Sequence, residues 1–437
     1  MANNKIIAVL VVAVVVVAAL GAFIILKGGN DTVSRDSVET ALPIMGNANG
    51  DYTIDNGDLE IIEKVRDGEL NLKDYPLADV NNDGKVDQTD VDLVKKLINR
   101  EPMTIFMIDH EDNIVSLSYP LKNIISINSD MLPMINQAGG TDALVGFIAS
   151  SYPNQQSIVL NNDKIEKLVG ARAIEEGSYR SIIEIDSRLN SQGGIGAILA
   201  MNDSALGNYK SDLVTAGIPI VKIKCSEPMN YIDGVLTMGF LIGGDCEIRS
   251  LDYTTESYDV LKNIEDKVGS VSKKQTCISL SMGTYLTQKR SSYTMVTQLA
   301  GGNNIIDLEG TSSTNLSSPE AITKYDGVQH IISFRTLDYE IVDVVTSWDR
   351  YANTLKASSS YENLVYINAA MPVIARVAYA AEVMYPDLFP GYGNEIFQKF
   401  VDKYESYMHD LEDDGYFDVK TDVTTLITYE TYMNAKS

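Results

Sequence analysis

At 437 residues the chain is long enough for two or three domains, and its ordinary apolar fraction provides for a sizeable core. Its net charge of −25, with no local cluster of Lys and Arg to reverse it, argues against nucleic acid or an anionic membrane surface as partner, because both would be repelled. Cys225, Cys246 and Cys277 form no CxxC and leave an odd number, so they read as small buried hydrophobes rather than a disulfide framework or a metal site.

The first predicted element is Ile6–Leu26, "IIAVLVVAVVVVAALGAFIIL", an uncharged run long enough to cross a bilayer. A secretory signal would have a shorter apolar core, and here cleavage near Gly21 would fall inside the run. Lys5 precedes the helix and acidic sequence follows it, which places the bulk of the chain outside the membrane. The expectation is a single-pass anchor over 1–26 and a polar linker over 27–42.

Two similar segments come next. "NANGDYTIDNGD" puts Asn47, Asn49, Asp51, Asp55 and Asp58 at positions one, three, five, nine and twelve of a loop. "DVNNDGKVDQTD" puts Asp79, Asn81, Asp83, Asp87 and Asp90 at the same positions. Thr53 and Lys85, at position seven, would each offer a main-chain carbonyl. Calcium takes six to eight hard oxygens, and this alternation turns them inward from one tight loop. After each loop the apolar residues recur with helical spacing: Leu59, Ile61, Ile62 and Val65, then Val91, Leu93, Val94 and Leu97. Residues 43–100 resemble a dockerin module, with Asn47 in place of the usual first aspartate and Gly50 displaced from the turn. The resemblance implies two Ca2+ ions and a cohesin-like surface protein as partner. A calcium-stiffened spacer is the other reading; in either case chelation is expected to melt Pro43–Arg100 alone and to leave ligand affinity of the main body unchanged.

From Met103 the pattern changes to strands alternating with helices, which implies parallel α/β architecture. Two short strands flank the turn His110–Asn113, and "NIISI", "LVGFIAS", "GAILAMN" and "IPIVKIK" follow. "GGIGAI" lacks the third glycine of a dinucleotide site and reads as a turn before a strand. Leu251–Val268 is a helix with Tyr253, Val260, Ile264 and Val268 on one face. A second series then runs through "QTCISLSMG", "SYTMVTQLAGG", "HIISFRT" and "NLVYINAA" to two closing helices. "MIDHEDNIVSLSYPLKNIISINSD", "GGTDALVGF", "QLAGGNNIID", "LSSPEAITKYDGVQHIISF" and "YAAEVMYPDLF" together resemble the substrate-binding proteins of ABC importers for iron complexes and cobalamin. The resemblance implies two Rossmann-like lobes, 103–246 and 273–437, joined by one long helix over 247–272. It also implies a ligand held between lobe rims and docking on a permease with its ATPase. Its motif places Glu320 as a docking glutamate of the second lobe; Glu184 stands in a poorly matching segment of the first.

Ligand loops should follow the carboxyl ends of strands. That makes Asp130, Tyr152 and Asn202 candidates in the first lobe, and Met282, Tyr285, Tyr293 and Arg335 in the second. Aromatic surfaces, hydrogen-bonding side chains and an arginine fork suit a bulky organic chelate. The three histidines, His110, His330 and His409, are too scattered in sequence for a bare transition-metal site. An iron(III)–siderophore ranks first, cobalamin or another corrinoid second and haem third. GxSxG, HExxH and GxxxxGK[ST] motifs are absent, so an enzyme of the kind that often carries a dockerin, a polysaccharide hydrolase, ranks lower, as does a scaffold whose α/β body binds no small molecule.

Overall fold

A computed structural model describes residues 40–128, 131–148, 164–170, 173–281, 285–289, 291–308, 312–335, 344–406 and 425–437. The expected anchor Ile6–Leu26 lies outside them. Among the described residues no helix is long and apolar enough to cross a membrane.

The chain begins with helices α1 (Asn56–Arg66) and α2 (Gln88–Ile98), one after each acidic loop. Both start on a capping box: Asp55 and Asp87 are the N-caps, and Asp58 and Asp90 reach back to the cap N–H groups. The buried faces are Ile62 and Val65 on α1, and Val91, Val94 and Leu97 on α2, as the spacing predicts. The module departs from the all-α expectation at one point, where Ile44 forms an antiparallel bridge to Met107 of the next element.

That element is a hairpin of β1 (Met103–Ile108) and β2 (Ile114–Tyr119). A parallel sheet follows, in the order β5-β4-β3-β6-β7, made of β3 (Ile124–Ser126), β4 (Leu144–Ile148), β5 (Glu166–Leu168), β6 (Ala197–Ala200) and β7 (Ile220–Lys222). Helices α3 (Met131–Gln137), α4 (Glu176–Leu189) and α5 (Lys210–Thr215) lie along the same stretch of chain. The core on this sheet is largely isoleucine and leucine: Ile125, Ile127, Ile148, Ile182, Ile185 and Ile198 are all 1% exposed or less. Full burial of each such side chain contributes about 1.5–3 kcal/mol.

Helix α6 (Pro228–Ile242) leads to α7 (Asp245–Gly269), which starts earlier than the expected Leu251. Asp245 and Glu247 in its first turn favour the positive end of the helix dipole, a signal that apolar periodicity does not carry. The two helices approach closely at Gly239, where a Cβ would fall 1.9 Å from Ser250 Oγ.

By compactness the chain divides within α7: one unit ends at Thr255 and the other begins at Glu256, with the short run Cys225–Tyr231 belonging to the second. The residues of the module, 43–100, fall in the first unit.

The second unit repeats the α/β plan with strands β8 (Thr276–Leu280), β9 (Leu286–Gln288), β10 (Asn303–Asn304), β11 (Ser313–Asn315), β12 (His330–Arg335), β13 (Leu364–Asn368) and β14 (Leu426–Thr428). Its main sheet runs β10-β8-β12-β13-β14, parallel except for β14. β9 and β11 pair as a separate small antiparallel sheet. Helices α8 (Ser292–Leu299), α9 (Ile305–Leu308), α10 (Pro319–Thr323), α11 (Val344–Ala352), α12 (Val373–Met384), α13 (Tyr392–Tyr404) and α14 (Tyr429–Lys436) complete the unit. Trp348 on α11 is fully buried, stacks on Tyr432 at 5.1 Å and donates its indole N–H to Tyr361 Oη at 2.6 Å. The single tryptophan is thus core, with its polar edge satisfied.

Candidate functional site

Each sheet has one point where strand order reverses. In the first, the chain steps outward from β3 to β4 and β5, then returns to the other side of β3 with β6. The carboxyl ends of β3 and β6 flank this reversal, the place where open α/β sheets hold ligands. Asn128 sits there, 9% exposed; its Oδ1 accepts from the Met201 N–H at 3.2 Å, and its carbonyl accepts from Ser126 Oγ at 2.8 Å. This amide joins the two strand ends that flank the reversal. Asn202 is exposed, and its Oδ1 is engaged as a helix cap, accepting from the Ala205 N–H at 3.2 Å and the Ser204 hydroxyl at 2.5 Å. Asp130 and Tyr152 lie outside the described residues.

On the neighbouring strand, Lys222 ends β7 with a side chain only 4% exposed. Its ammonium pairs with Glu111 from the β1–β2 turn and with Asp203, which also meets Lys210 at 2.6 Å. Burial alone would lower the Lys222 pKa, but hydrogen bonds to Asp203 and Glu111 outweigh it and push the value up. Sequence reasoning missed this network. The lysine inside the apolar run "IPIVKIK" was the available signal, since a buried lysine calls for a carboxylate partner.

In the second sheet the reversal lies between β8 and β12, so Ser281 and Arg335 follow or end the strands that flank it, and register places Arg335 next to Asn368 of β13. The Arg335 side chain and all of Met282 lie outside the described part. Tyr285 is half-buried against the second core and Tyr293 stacks on Phe334 at 5.1 Å, so both rings spend surface on packing. Glu184 on α4 and Glu320 in the first turn of α10 are both exposed. His110 belongs to the first unit. His330, at the start of β12, is pushed down to about 4 by burial; His409 lies outside the described residues.

The two acidic loops form the other site. Among the described residues no three His, Cys, Asp or Glu side chains converge as a ready metal cage. The loop carboxylates are instead drawn onto N–H groups of their own loops. Asp58 accepts from Asn49 and Asp55, and Asp90 accepts from Val80, Asn81 and Asp87. In the first loop Asn47 is fully buried. Its amide nitrogen donates to Leu42 O at 2.8 Å and Asp51 O at 2.9 Å, while its Oδ1 has no partner. A buried amide oxygen left without a donor, among hard oxygen side chains, fits a calcium ion. Asn47, Asn49, Asp51, Asp55, Asp58 and the Thr53 carbonyl would hold it; in the second loop Asp79, Asn81, Asp83, Asp87, Asp90 and the Lys85 carbonyl would. Burial pushes Asp58 up to about 7, and it also raises Asp51 and Asp79. Lys85 instead holds Asp87 down at about 2 through a hydrogen bond.

The family model for the dockerin type I domain matches residues 46–99. The fold as a whole is similar to solved periplasmic binding proteins. A periplasmic solute binding protein from Veillonella parvula is 14% identical with a TM-score of 0.51, covering 74% of this chain and 100% of that one. The TroA-like periplasmic binding protein FepB from Veillonella parvula is also 14% identical with a TM-score of 0.51, covering 68% and 95%. Helicobacter pylori CeuE, in a complex with nickel and histidine, is 12% identical with a TM-score of 0.50, covering 72% and 100%. A search of curated protein sequences found no match.

Proposed function

We propose that this chain is the substrate-binding component of an ABC importer, held outside the cell membrane by its N-terminal helix, and that it captures an iron(III)–siderophore-type chelate. The observation that carries the reading is the repeated plan: two α/β units, each with one strand-order reversal, whose shared fold is that of periplasmic solute-binding proteins. The switch-point loops of each unit are the candidate ligand surfaces. β3 of the first unit ends near Asn128, and β12 of the second ends on Arg335; an amide and an arginine are residue types that suit the carboxylate, hydroxamate or catecholate oxygens of a chelate. His110 and His330 fall in different units, and His330 is half-buried, which does not favour imidazole ligation of a bare ion. Glu320 and Glu184 are the proposed permease contacts, and the paired loops are proposed to carry two calcium ions and to present the module to a cohesin-like protein. The tether rests on the sequence of residues 6–26.

Native mass spectrometry of the extracytoplasmic part, purified from its own cells, should show a retained chelate. Titration with ferric hydroxamates and catecholates, cyanocobalamin and haemin should give a saturable rise in melting temperature with the ferric chelates. Arg335→Gln should weaken that binding by roughly tenfold to a hundredfold, the loss expected for one charged hydrogen bond. Saturable binding of the corrinoid alone would move the assignment to the second ligand class. Indifference to every chelate would end it.

A further inference from the structure

Arg100 follows α2 directly, at the position after the helix cap, and its φ is +57°. Helices commonly place glycine there, because an L side chain meets steric resistance in the left-handed region. The side chain that occupies this strained position makes contacts a glycine could not. Its Nε donates to Glu247 at 2.8 Å, and Nη2 reaches the same carboxylate, so the pair is bidentate. Glu247 stands in the first turn of α7. The guanidinium lies 5.4 Å from the centre of the Phe240 ring on α6. Its Nη1 donates to Ile54 O at 3.1 Å, and Ile54 sits between Thr53 and Asp55 in the first acidic loop.

A second seam runs alongside. Met45 N–H donates to Phe106 O at 2.8 Å and Ile108 N–H to Pro43 O at 2.9 Å, so the segment before the loop adds to the β1 edge. Gly46 N–H donates to Leu77 O at 2.7 Å within the module. The hairpin in turn binds the body of the unit: His110 N–H donates to Lys222 O, and Tyr119 packs on Phe240.

We propose that the calcium module and the first α/β unit open and close as one, with Arg100 as the tie. Calcium held by the first loop fixes the Ile54 carbonyl; that carbonyl and Glu247 orient the guanidinium, which anchors the start of α7. Calcium therefore stabilises the unit as well as its own loop, in place of the isolated action on Pro43–Arg100 expected from sequence.

Hydrogen exchange on the full chain tests this, in calcium at about a hundred times its dissociation constant and then in chelator. Amides of 103–119 and 245–255 should speed up with those of 43–100 when calcium is removed, by up to about a hundredfold where opening is fully linked. Arg100→Gly relieves the backbone strain but cuts the tie to Glu247 along with the guanidinium bond to Leu97 O, so chelation should then leave 245–255 unaffected while the strand seam still carries it to 103–119. Glu247→Gln, which keeps the side chain's shape, should weaken the transmission without altering calcium binding at the second loop. Unchanged exchange of 103–119 and 245–255 in the wild type would overturn the proposal. So would transmission to 245–255 that survives Arg100→Gly, or a first loop that takes no calcium in a direct titration.

Discussion

The two acidic loops share a pattern but not a setting. The second follows the calcium consensus closely and is mostly open to solvent, with Asn82, Asp83, Gly84 and Lys85 exposed. The first breaks the consensus and is built into the protein. Asn47 stands where an aspartate is usual because its amide must donate: Leu42 O, Asp51 O and Thr40 Oγ1 all accept from it, and a carboxylate has no N–H to give. The displaced Gly50 has an equivalent explanation. It has a φ of +72°, and Asn82 at the same position of the second loop has +55°, so both loops turn there; only the second adds a further left-handed turn at Gly84. Departures from a motif thus mark where the loop serves the body of the protein.

The largest expected effect breaks this contrast directly. Asn47→Asp restores the consensus yet removes the donated hydrogen bonds and sets a buried charge against two carbonyls. The calcium-free protein should lose about 3 kcal/mol or more, read from calorimetric unfolding. Asp79→Asn in the second loop should chiefly weaken calcium binding. A more stable calcium-free Asn47→Asp variant would refute this account of the first loop.

Next comes pH. Asp58 is raised from an ordinary value near 3.8 to about 7, so its contribution to calcium-free stability is present below about 4 and is lost as pH rises through 7. Calcium needs the ionised form, so first-loop affinity should gain roughly tenfold per pH unit as pH approaches 7 from below. Proton release, measured by calorimetry in buffers of differing ionisation enthalpy, checks this. The second unit should respond with the opposite sign. His330 falls from 6.5 to about 4, so stability there is lost as pH drops from 6.5 toward 4, at most about tenfold in the folding constant per unit. Trp348 fluorescence reports that unit, and His330→Gln should flatten its acid limb. The smallest effect belongs to Lys85→Ala: the ion pair with Asp87 is exposed, and position seven offers only its carbonyl, so both melting temperature and calcium affinity should stay within measurement scatter.

Much of the layout was legible because it rests on local rules. The helix faces after each loop and the strands Leu144–Ile148 and Leu364–Asn368 all follow from spacing a few residues wide. Strands of two or three residues, such as Asn303–Asn304 and Ser313–Asn315, are too short to show alternation and passed unread. Among the expected ligand side chains, Tyr285 and Tyr293 turn part of their rings to packing and Asn202 caps a turn, roles that nothing in their neighbouring sequence announces.

The sequence alone determined the oxygen-rich loops, the alternation that demands parallel sheets and the apolar run at the start, since each depends on side chains close along the chain. Only the tertiary structure decided which strands flank each reversal, that Lys222 would meet Glu111 and Asp203, and that Arg100 would reach Glu247. Those pairings join residues up to 147 positions apart, and no local spacing encodes which distant surfaces close to exclude water.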